Sequence, residues 1–383
     1  MPEATQVVTG VHGMWILKAP IDAAGNKGVW SAYDFNLYLR KSGLNAETIV
    51  MNPMTRQRFL QECDHIFRKP GFAVKFLRNP TPAALDKFAR EVEALIKLQD
   101  PHIVRIFDYS LVIPEVGEGD EDEEKAKDKV PPFYVMEKVN GVSLRDKVEK
   151  HKAYAGEVHE SLSLMVEMAS ALAVAHKAGI VHRDLNPGNI LILEDGSPVI
   201  IDFAVCHIID GQRHSLAGRE SGPLHFVAPE LAVGPVNEED VCPANDIYAF
   251  GKLLYYMLSG GKELPREVHH DEEHDLQKKY PSKQMDSVYY ILDRTVLGNV
   301  KERVQTVEEL LEIIKKELAE GSACIFCGEG TYQRLSSALA KEAWDTGRSQ
   351  ALGAYNPRLF VCDKCGNLQY FFDPLILRDN LNR

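Results

Sequence analysis

Hydrophobic and polar residues alternate in short stretches along the first part of the chain. Phe72 to Leu77 alternates in this way, which predicts a strand, and Thr81 to Gln99 follows with helical periodicity. A proline cannot continue a helix, so Asp100-Pro101 predicts where this helix ends. Ile103 to Tyr109 and Phe133 to Val139 are two further predicted strands. The pattern therefore predicts a β-rich N-terminal region.

Helical patterns dominate from Ser143 onward. Short predicted β segments interrupt them at Ile190 to Leu193 and at Val199 to Ile201. A helix predicted over Val307 to Leu318 closes this region, and Gly321-Ser322 predicts a junction to a C-terminal segment. We therefore expect an α+β protein with a β-rich part, a helical part and a small C-terminal module.

Composition and charge narrow the class of protein. The chain has 383 residues, which suggests two or three domains, and its net charge of −12 argues against nucleic acid or an anionic membrane as the main partner. Met1 to Gly13 lacks the basic and apolar regions of a secretory signal. The most apolar stretch, Leu162 to Ala178, carries Glu167 and His176, which favours a buried globular helix over a membrane span. We expect a soluble, cytoplasmic protein.

Four separated motifs occur in one order along the chain. They are Phe72-Ala73-Val74-Lys75 at a strand end, Glu91 on the following helix, His182-Arg183-Asp184-Leu185-Asn186-Pro187-Gly188-Asn189, and Asp202-Phe203-Ala204 with a later Ala228-Pro229-Glu230. Taken alone, Lys75 would usually be a solvated lysine and Asp184 a turn residue. The joint order and spacing resemble the eukaryotic-type protein kinase family over residues 10–320.

The resemblance implies a bilobal fold that binds ATP and Mg²⁺. The N-lobe would span about 10–137, with insertions at 33–71 and 115–131, and the C-lobe would span about 140–320. Phosphoryl transfer depends mainly on positioning and charge stabilisation, and the resemblance assigns the α- and β-phosphates to Lys75, held in reach by Glu91. Asp184 would orient the substrate hydroxyl. Asn189 and Asp202 would supply oxygen ligands to Mg²⁺.

Further positions resemble those that bind adenine or support the C-lobe. Met136 would be the gatekeeper beside the base, and Arg183 would contact a phosphate on the activation segment. Asp246 would hold the catalytic loop, and Arg303 would pair with Glu230. The other adenine-binding positions implied by the resemblance are Ala73, Glu137, Val139 and Leu191. Apolar members of this set would also suit ordinary core packing.

The glycine-rich loop matches the family only in part. Its best match is Ile21 to Ala32, where Gly25 and Val29 are in register but Gly28 is displaced by one position. Glycines matter there because backbone amides must approach the phosphates closely. We therefore predict nucleotide contacts at Gly25 and Val29. With fewer glycines than a full set, we expect either weaker ATP binding or a loop that moves less.

Two substitutions favour a non-catalytic alternative. Asn186 stands where kinases directed at serine or threonine usually carry a lysine, and Pro223 stands where they carry a threonine. Loss of one stabilising donor at the reacting group can cost orders of magnitude in rate. The second hypothesis is therefore a pseudokinase scaffold that binds partners. A small-molecule kinase is a third, although Ala228-Pro229-Glu230, Asp246 and Arg303 resemble the protein-kinase C-lobe instead.

Cysteines cluster near the C-terminus. Of seven cysteines, four form two C-x-x-C-G motifs, namely Cys324 with Cys327 and Cys362 with Cys365. Four thiolates in two such knuckles suit tetrahedral zinc, and the spacing resembles a zinc ribbon over residues 322–383. We expect a structural Zn²⁺ and a docking or regulatory role. Ribbons often bind nucleic acid, but this segment lacks an obvious basic stripe.

The leading prediction is an active serine/threonine protein kinase with unidentified protein substrates. Its implied catalytic set of Lys75, Glu91, Asp184, Asn189 and Asp202 is complete. Completeness of this set opposes the scaffold hypothesis.

Overall fold

The computed structural model describes residues 6–21, 28–42, 63, 69–113, 130–208, 225–232, 238–282, 284–318, 332–334, 358–362, 364–365 and 368–371. The chain divides into two compact units. Unit 1 contains Met1–Gly141 and Ile201–Ile208, and unit 2 contains Val142–Ile200 and Ile209–Arg383. The described residues exclude Gly25, Pro223, Cys324, Cys327, most of the predicted 115–131 insertion and, apart from the helical, buried Cys63, residues 43–68 of the predicted 33–71 insertion.

Unit 1 is an antiparallel sheet with two described helices. The strands are β1 (Val7–Thr9), β2 (Met14–Pro20), β3 (Val29–Asp34), β4 (Phe72–Phe76), β5 (Ile106–Ser110) and β6 (Phe133–Glu137), and β11 (His207–Ile208) also belongs to this unit. The sheet order is β1-β2-β3-β4-β6-β5, and helices α1 (Phe35–Ser42) and α2 (Pro82–Lys97) follow β3 and β4. One face buries an apolar cluster that includes Trp15, Val74, Phe133 and Val135.

The predicted elements of unit 1 lie close to where the sequence pattern put them. Helix α2 begins at Pro82, and the side chain of Thr81 caps it by accepting a hydrogen bond from the Ala84 N–H at 3.2 Å. The sheet begins before the predicted start of the N-lobe at residue 10, because β1 spans Val7–Thr9. The insertion was predicted to begin at residue 33, but Tyr33 is still part of β3. A three-residue edge strand is too short for its alternation to register in sequence.

Gly28 has a backbone requirement that explains its displaced position. Its φ is +67°, a conformation that favours glycine, and a Cβ there would also press on Arg78. The Gly28 carbonyl accepts a hydrogen bond from the Phe76 N–H at 3.0 Å, which fixes the start of β3 against β4. This glycine therefore shapes the entry to the strand.

Unit 2 is mainly helical. Its helices are α3 (Leu144–Glu149), α4 (Val158–Lys177), α5 (Pro229–Ala232), α6 (Pro243–Ser259), α7 (Leu276–Lys279), α8 (Met285–Thr295) and α9 (Val307–Leu318). Two short 3-10 helices span Glu238–Asp240 and Val300–Glu302. Strands β7 (Val142–Ser143), β9 (Ile190–Ile192) and β10 (Pro198–Ile200) form a small sheet in the order β10-β9-β7, and β8 covers Ile180–Val181.

Helix α6 is buried from Ala244 to Ser259. Its glycine, Gly251, lies so close to α8 that an added Cβ would clash with the side chain of Thr295. Helix α4 is long and apolar enough to cross a membrane by length and composition, but more than half of this stretch is buried. That burial fits the prediction of a globular core helix.

The C-terminal residues that the structure describes form an antiparallel sheet of β12 (Tyr332–Arg334), β13 (Arg358–Cys362) and β14 (Leu368–Phe371). Cys362 is the last residue of β13 and lies opposite Tyr332. Cys365 lies in the turn between β13 and β14. The second predicted knuckle therefore coincides with the connection between two paired strands.

Candidate functional site

An ion-pair network in unit 1 joins three of the predicted residues. Lys75 Nζ lies 2.7 Å from Glu91 Oε1 and 3.0 Å from Asp202 Oδ1. Lys75 comes from β4, Glu91 from the buried face of α2, and Asp202 from the segment after β10. The structure thus brings together a lysine and two carboxylates that are 16 and 127 residues away in sequence.

Tyr134 completes this network, and the sequence analysis did not identify it. Its hydroxyl donates to Glu91 Oε1 at 2.8 Å, and its ring centre lies 5.6 Å from Lys75 Nζ. Lys75 and Tyr134 are cross-strand partners on β4 and β6, and such partners have neighbouring side chains. The pairing register of the two predicted strands was the signal that could have found this contact.

The network keeps a positive charge at Lys75. Burial lowers the pKa of Lys75, but the adjacent Tyr134, Glu91 and Asp202 outweigh burial and raise that pKa well above its ordinary value. The ammonium is therefore held charged at neutral pH, next to the partly exposed carboxylate of Asp202. A fixed cation beside a carboxylate is the arrangement that a phosphate with a divalent cation requires.

A second cluster lies in unit 2, around the carboxylate of Asp184. Asn186 Nδ2 donates to Asp184 Oδ1 at 2.9 Å, and Asn189 Nδ2 donates to Asp184 Oδ2 at 2.8 Å. Asn186 Oδ1 also accepts from the Gly188 N–H at 2.9 Å, which closes the turn of the loop. Both carboxylate oxygens of Asp184 are therefore oriented by side-chain amides.

Asp246 holds the segment before Asp184 in place, as predicted. Its carboxylate accepts hydrogen bonds from the backbone N–H groups of His182 and Arg183, both at 2.8 Å, and contacts His176 Nε2 at 2.8 Å. Burial acts to raise the pKa of Asp246, but its hydrogen bond with His176 and the nearby histidines and amides lower it overall. His176, noticed in sequence only as a polar residue in an apolar stretch, is a direct partner of Asp246.

Two predicted site residues have left-handed backbone conformations. The φ angles are +66° at Arg183 and +65° at Asp202. Residues other than glycine adopt this region rarely, at a cost of about 1–3 kcal/mol, and they concentrate at functional sites. At Arg183, the hydrogen bonds that Asp246 accepts from the backbone N–H groups of His182 and Arg183 hold this conformation. At Asp202, the ion pair with Lys75 fixes the side chain.

The predicted pair of Arg303 with Glu230 is present in unit 2. Arg303 donates from Nη1 and Nη2 to the two oxygens of Glu230, both at 2.7 Å, and its side chain is fully buried. Asn245 Nδ2 also donates to Glu230 at 2.6 Å. This charge-assisted, two-point contact fixes α5 to the helical core.

The remaining predicted nucleotide positions are distributed over both units. Val29 pairs with Lys75 across β3 and β4, and the buried Ala73 pairs with Met136 across β4 and β6. Glu137 ends β6, and its backbone N–H donates to the Arg105 carbonyl at 2.8 Å. Val139 follows β6 and belongs to unit 1, whereas Leu191 is the central residue of β9 in unit 2.

Comparisons with known proteins agree with these motifs. The family model described as "Protein kinase domain" matches residues 61–321. Serine/threonine-protein kinase PknA of Mycobacterium tuberculosis is 31% identical over 191 residues, which are 49% of this chain and 40% of that protein. Serine/threonine-protein kinases drp72 of Corynebacterium efficiens is 33% identical over 191 residues, which are 49% of this chain and 34% of that protein.

A third relative, the probable serine/threonine-protein kinase PknB of Bifidobacterium longum, is 32% identical over 178 residues, which are 46% of this chain and 24% of that protein. The chain therefore spans less than half the length of these curated relatives.

Proposed function

Because the chain belongs to the protein kinase domain family, we propose that it transfers the γ-phosphoryl group of ATP to serine or threonine hydroxyls of proteins. The observation that carries the proposal is the contact of Lys75 with both Glu91 and Asp202, at 2.7 and 3.0 Å. This contact places a permanent cation beside a carboxylate, in the chain order typical of kinases. The serine/threonine-protein kinases among its relatives support the choice of hydroxyl.

Mg²⁺ fits the donors that Asp202 and Asn189 offer. Mg²⁺ prefers hard oxygen ligands, and the Asp202 carboxylate supplies them in unit 1. In unit 2, Asn189 uses Nδ2 to donate to Asp184, so its amide oxygen is the atom that would bind the cation. The ion would neutralise negative charge on the phosphates, and Lys75 would hold the phosphates in position.

Asp184 would accept or orient the proton of the substrate hydroxyl. Its two oxygens accept from Asn186 and Asn189, so the carboxylate has a fixed orientation in unit 2. Asn186 takes the sequence position of the usual lysine, and it supplies a neutral donor to Asp184 there. On this proposal Arg183 would contact a phosphate on the 209–224 segment, which lies outside the described residues.

Nucleotide recognition in unit 1 would come from residues on and next to β3, β4 and β6, and Leu191 stays a predicted adenine contact. Glu137 uses its backbone N–H in the sheet, so its carbonyl would be the group that accepts from adenine. Val139 would contribute its backbone, and Met136, Ala73 and Val29 would supply apolar surface. Gly25 stays a predicted phosphate contact.

A scaffold that binds partners without phosphoryl transfer is the second candidate. Asn186 in place of lysine favours it, because one cation is then missing from the catalytic loop. The intact pairing of Lys75 with Glu91 and Asp202 opposes it.

Radiolabel transfer from γ-labelled ATP with Mg²⁺ tests the two candidates against each other. The full chain would be compared with Asp184→Ala and, as a matched control, with Asp286→Ala on the exposed face of α8. Loss of a positioned acid–base group lowers the rate by about 100- to 10,000-fold, so we expect transfer from wild type and Asp286→Ala only. Phosphoamino-acid analysis would identify the hydroxyl class. Equal transfer by wild type and Asp184→Ala would reject the assignment, and ATP binding without any transfer would support the scaffold.

We also propose that residues 322–383 form a zinc ribbon with Zn²⁺ bound by Cys324, Cys327, Cys362 and Cys365. The sheet of β12, β13 and β14 supports the proposal, because Cys362 ends β13 and Cys365 lies in the following turn. Zinc ribbons use such strand connections as knuckles for tetrahedral thiolate binding. Four thiolates would fill the coordination sphere, so the ion would be structural. Thiolate zinc requires reduced cysteines, which agrees with a cytoplasmic location.

The role proposed for this module is to dock protein partners or substrates. Its position after the kinase domain supports this role. Nucleic acid is the less favoured partner, because the whole chain has a net charge of −12.

A further inference from the structure

A histidine pair and an aspartate meet in unit 2 outside the residues assigned to phosphoryl transfer. His269 Nε2 lies 2.9 Å from Asp293 Oδ1, and His270 Nε2 lies 2.6 Å from the same oxygen. The three candidate ligand atoms lie within 4.8 Å of one another. Two imidazole nitrogens that converge on one carboxylate oxygen form a donor set that the kinase motifs do not include.

The backbone brings these residues together from two elements. His269 and His270 lie in the loop between α6 and α7, and Asp293 lies in the last turns of α8. Tyr289, one helical turn before Asp293, stacks on the His270 ring with centroids 5.1 Å apart and planes 21° apart. The centroids of the His269 and His270 rings lie 4.5 Å apart. Ring packing therefore directs both Nε2 atoms at Asp293.

The cluster combines a buried anchor with accessible ligands. The His269 side chain is 4% exposed, whereas those of His270 and Asp293 are 61% and 44% exposed. His269 Nδ1 is buried and has no hydrogen-bond partner among the described residues, so the Asp293 contact and the ring packing fix the orientation of this imidazole. An ion from solvent could reach the two exposed ligands without unfolding the loop.

We propose that His269, His270 and Asp293 bind Zn²⁺ or a similar divalent transition metal. Two imidazoles with one carboxylate select such ions over Mg²⁺ and Ca²⁺, which prefer all-oxygen ligand sets. Three protein ligands leave at least one coordination position for water. The site is separate from the proposed cysteine site, because it uses nitrogen and oxygen donors from unit 2 helices and loops.

The ligand atoms would have to shift to hold the ion. Zinc bonds of roughly 2.0–2.1 Å in a tetrahedron put ligand atoms about 3.3 Å apart. The two histidine nitrogens lie 2.9 and 2.6 Å from the carboxylate oxygen, so these two separations would lengthen by roughly 0.4 and 0.7 Å. Side-chain rotation of the exposed His270 and Asp293 can supply that movement.

Metal binding would join the loop after α6 to helix α8. Because the three ligands come from two elements, bound zinc would stabilise the native arrangement of both, by an amount that grows with the logarithm of the ratio of free zinc to the dissociation constant. The inference goes beyond the proposed kinase activity. Its test uses no phosphoryl transfer, so either could fail without the other.

Zinc content of the full chain decides the proposal. Wild type, His270→Ala and Asp293→Asn would be equilibrated by dialysis at low micromolar free zinc, with mass-spectrometric metal analysis of each. We expect each variant to hold about one zinc ion fewer per chain than wild type, because each loses one of the three proposed zinc ligands. We also expect zinc to raise the thermal midpoint of wild type more than that of either variant.

His151→Ala is the matched control, since His151 is an exposed histidine outside the cluster. It should retain the zinc content of wild type. His270 and Asp293 are exposed enough for both variants to fold, and circular dichroism of each variant would verify this. Equal zinc content in wild type, His270→Ala and Asp293→Asn would overturn the proposal and leave the three residues as a hydrogen-bonded cluster. The same conclusion would follow if the extra zinc were bound only at millimolar concentration.

Discussion

At the scale of single residues, Asn186 is the side chain that joins Asp184 to the turn of the same loop. Its Nδ2 donates to Asp184 Oδ1 and its Oδ1 accepts from the Gly188 N–H, both at 2.9 Å. A lysine could reproduce only the first of these contacts, because it has no acceptor. Asn186 therefore orients Asp184 and closes the loop turn together.

We predict that Asn186→Ala lowers the rate of phosphoryl transfer by about 10- to 100-fold, since a hydrogen bond to a charged group contributes about 1.5–3 kcal/mol. The effect should appear in kcat, with the KM for ATP nearly unchanged, because Asn186 orients Asp184 and is not assigned to the nucleotide. Asn186→Lys is the informative partner, because its ammonium can still donate to Asp184. It should retain more activity than Asn186→Ala in steady-state assays. Equal kcat in wild type and Asn186→Ala would contradict the positioning role.

At the scale of elements, periodicity predicted several of the helices and strands but could not predict their contacts. Strand β4 and helices α2 and α9 lie at or within two residues of the predicted bounds. Motif order also predicted the pairs of Lys75 with Glu91 and of Glu230 with Arg303. The roles of Tyr134 and His176 depend on strand register and helix packing, respectively, over separations of 43 and 70 residues, which local pattern does not encode.

Helix α6 carries a buried lysine that sequence pattern alone would assign to the surface. Lys252 Nζ donates to the carbonyls of Leu264 at 2.5 Å and Arg266 at 2.7 Å, and the residue is 2% exposed. Burial lowers its pKa to about 8, although the nearby negative charge of Glu267 acts to raise that pKa. Between pH 8 and 10 the unfolded chain would therefore hold one proton more than the folded chain.

We predict that this lysine makes the free energy of unfolding rise with pH over that interval. One extra proton in the unfolded state gives a slope of at most about 1.4 kcal/mol per pH unit. Lys252→Met should remove this contribution, measured as the difference in slope between the two chains in urea unfolding at pH 7.5 to 9.5 under reducing conditions. Higher pH is avoided because burial raises the pKa of Tyr248 and Tyr256. Above about pH 10 these tyrosines would lose protons in the unfolded chain before the folded chain, so their contribution would make the free energy of unfolding fall with pH. Parallel slopes for wild type and Lys252→Met would contradict the assignment.

At the scale of the whole molecule, three cation sites are proposed with different donor chemistry. Oxygen donors serve the phosphoryl-transfer residues, imidazoles with one carboxylate serve the cluster of His269, His270 and Asp293, and thiolates serve the C-terminal module. The family model ends at residue 321, just before the first cysteine of that module. A zinc ion would be expected to determine local stability there, because small modules bury too little apolar surface to fold without a metal or disulfides.

We predict that Cys362→Ser removes about one zinc ion per chain and speeds amide hydrogen exchange in β13 and β14, since a structural zinc site contributes its binding energy to folding. Exchange in β4, β6 and α2 should not change, because those elements belong to unit 1. Cys242→Ser is the matched control: Cys242 caps α6, where serine is also a good cap, so its zinc content should equal that of wild type. The two proposed sites share no ligand, so Cys362→Ser with His270→Ala should lose about two ions. Unchanged zinc content in Cys362→Ser would remove the ribbon assignment, whereas loss of only one ion in the double variant would mean that the histidine cluster holds none.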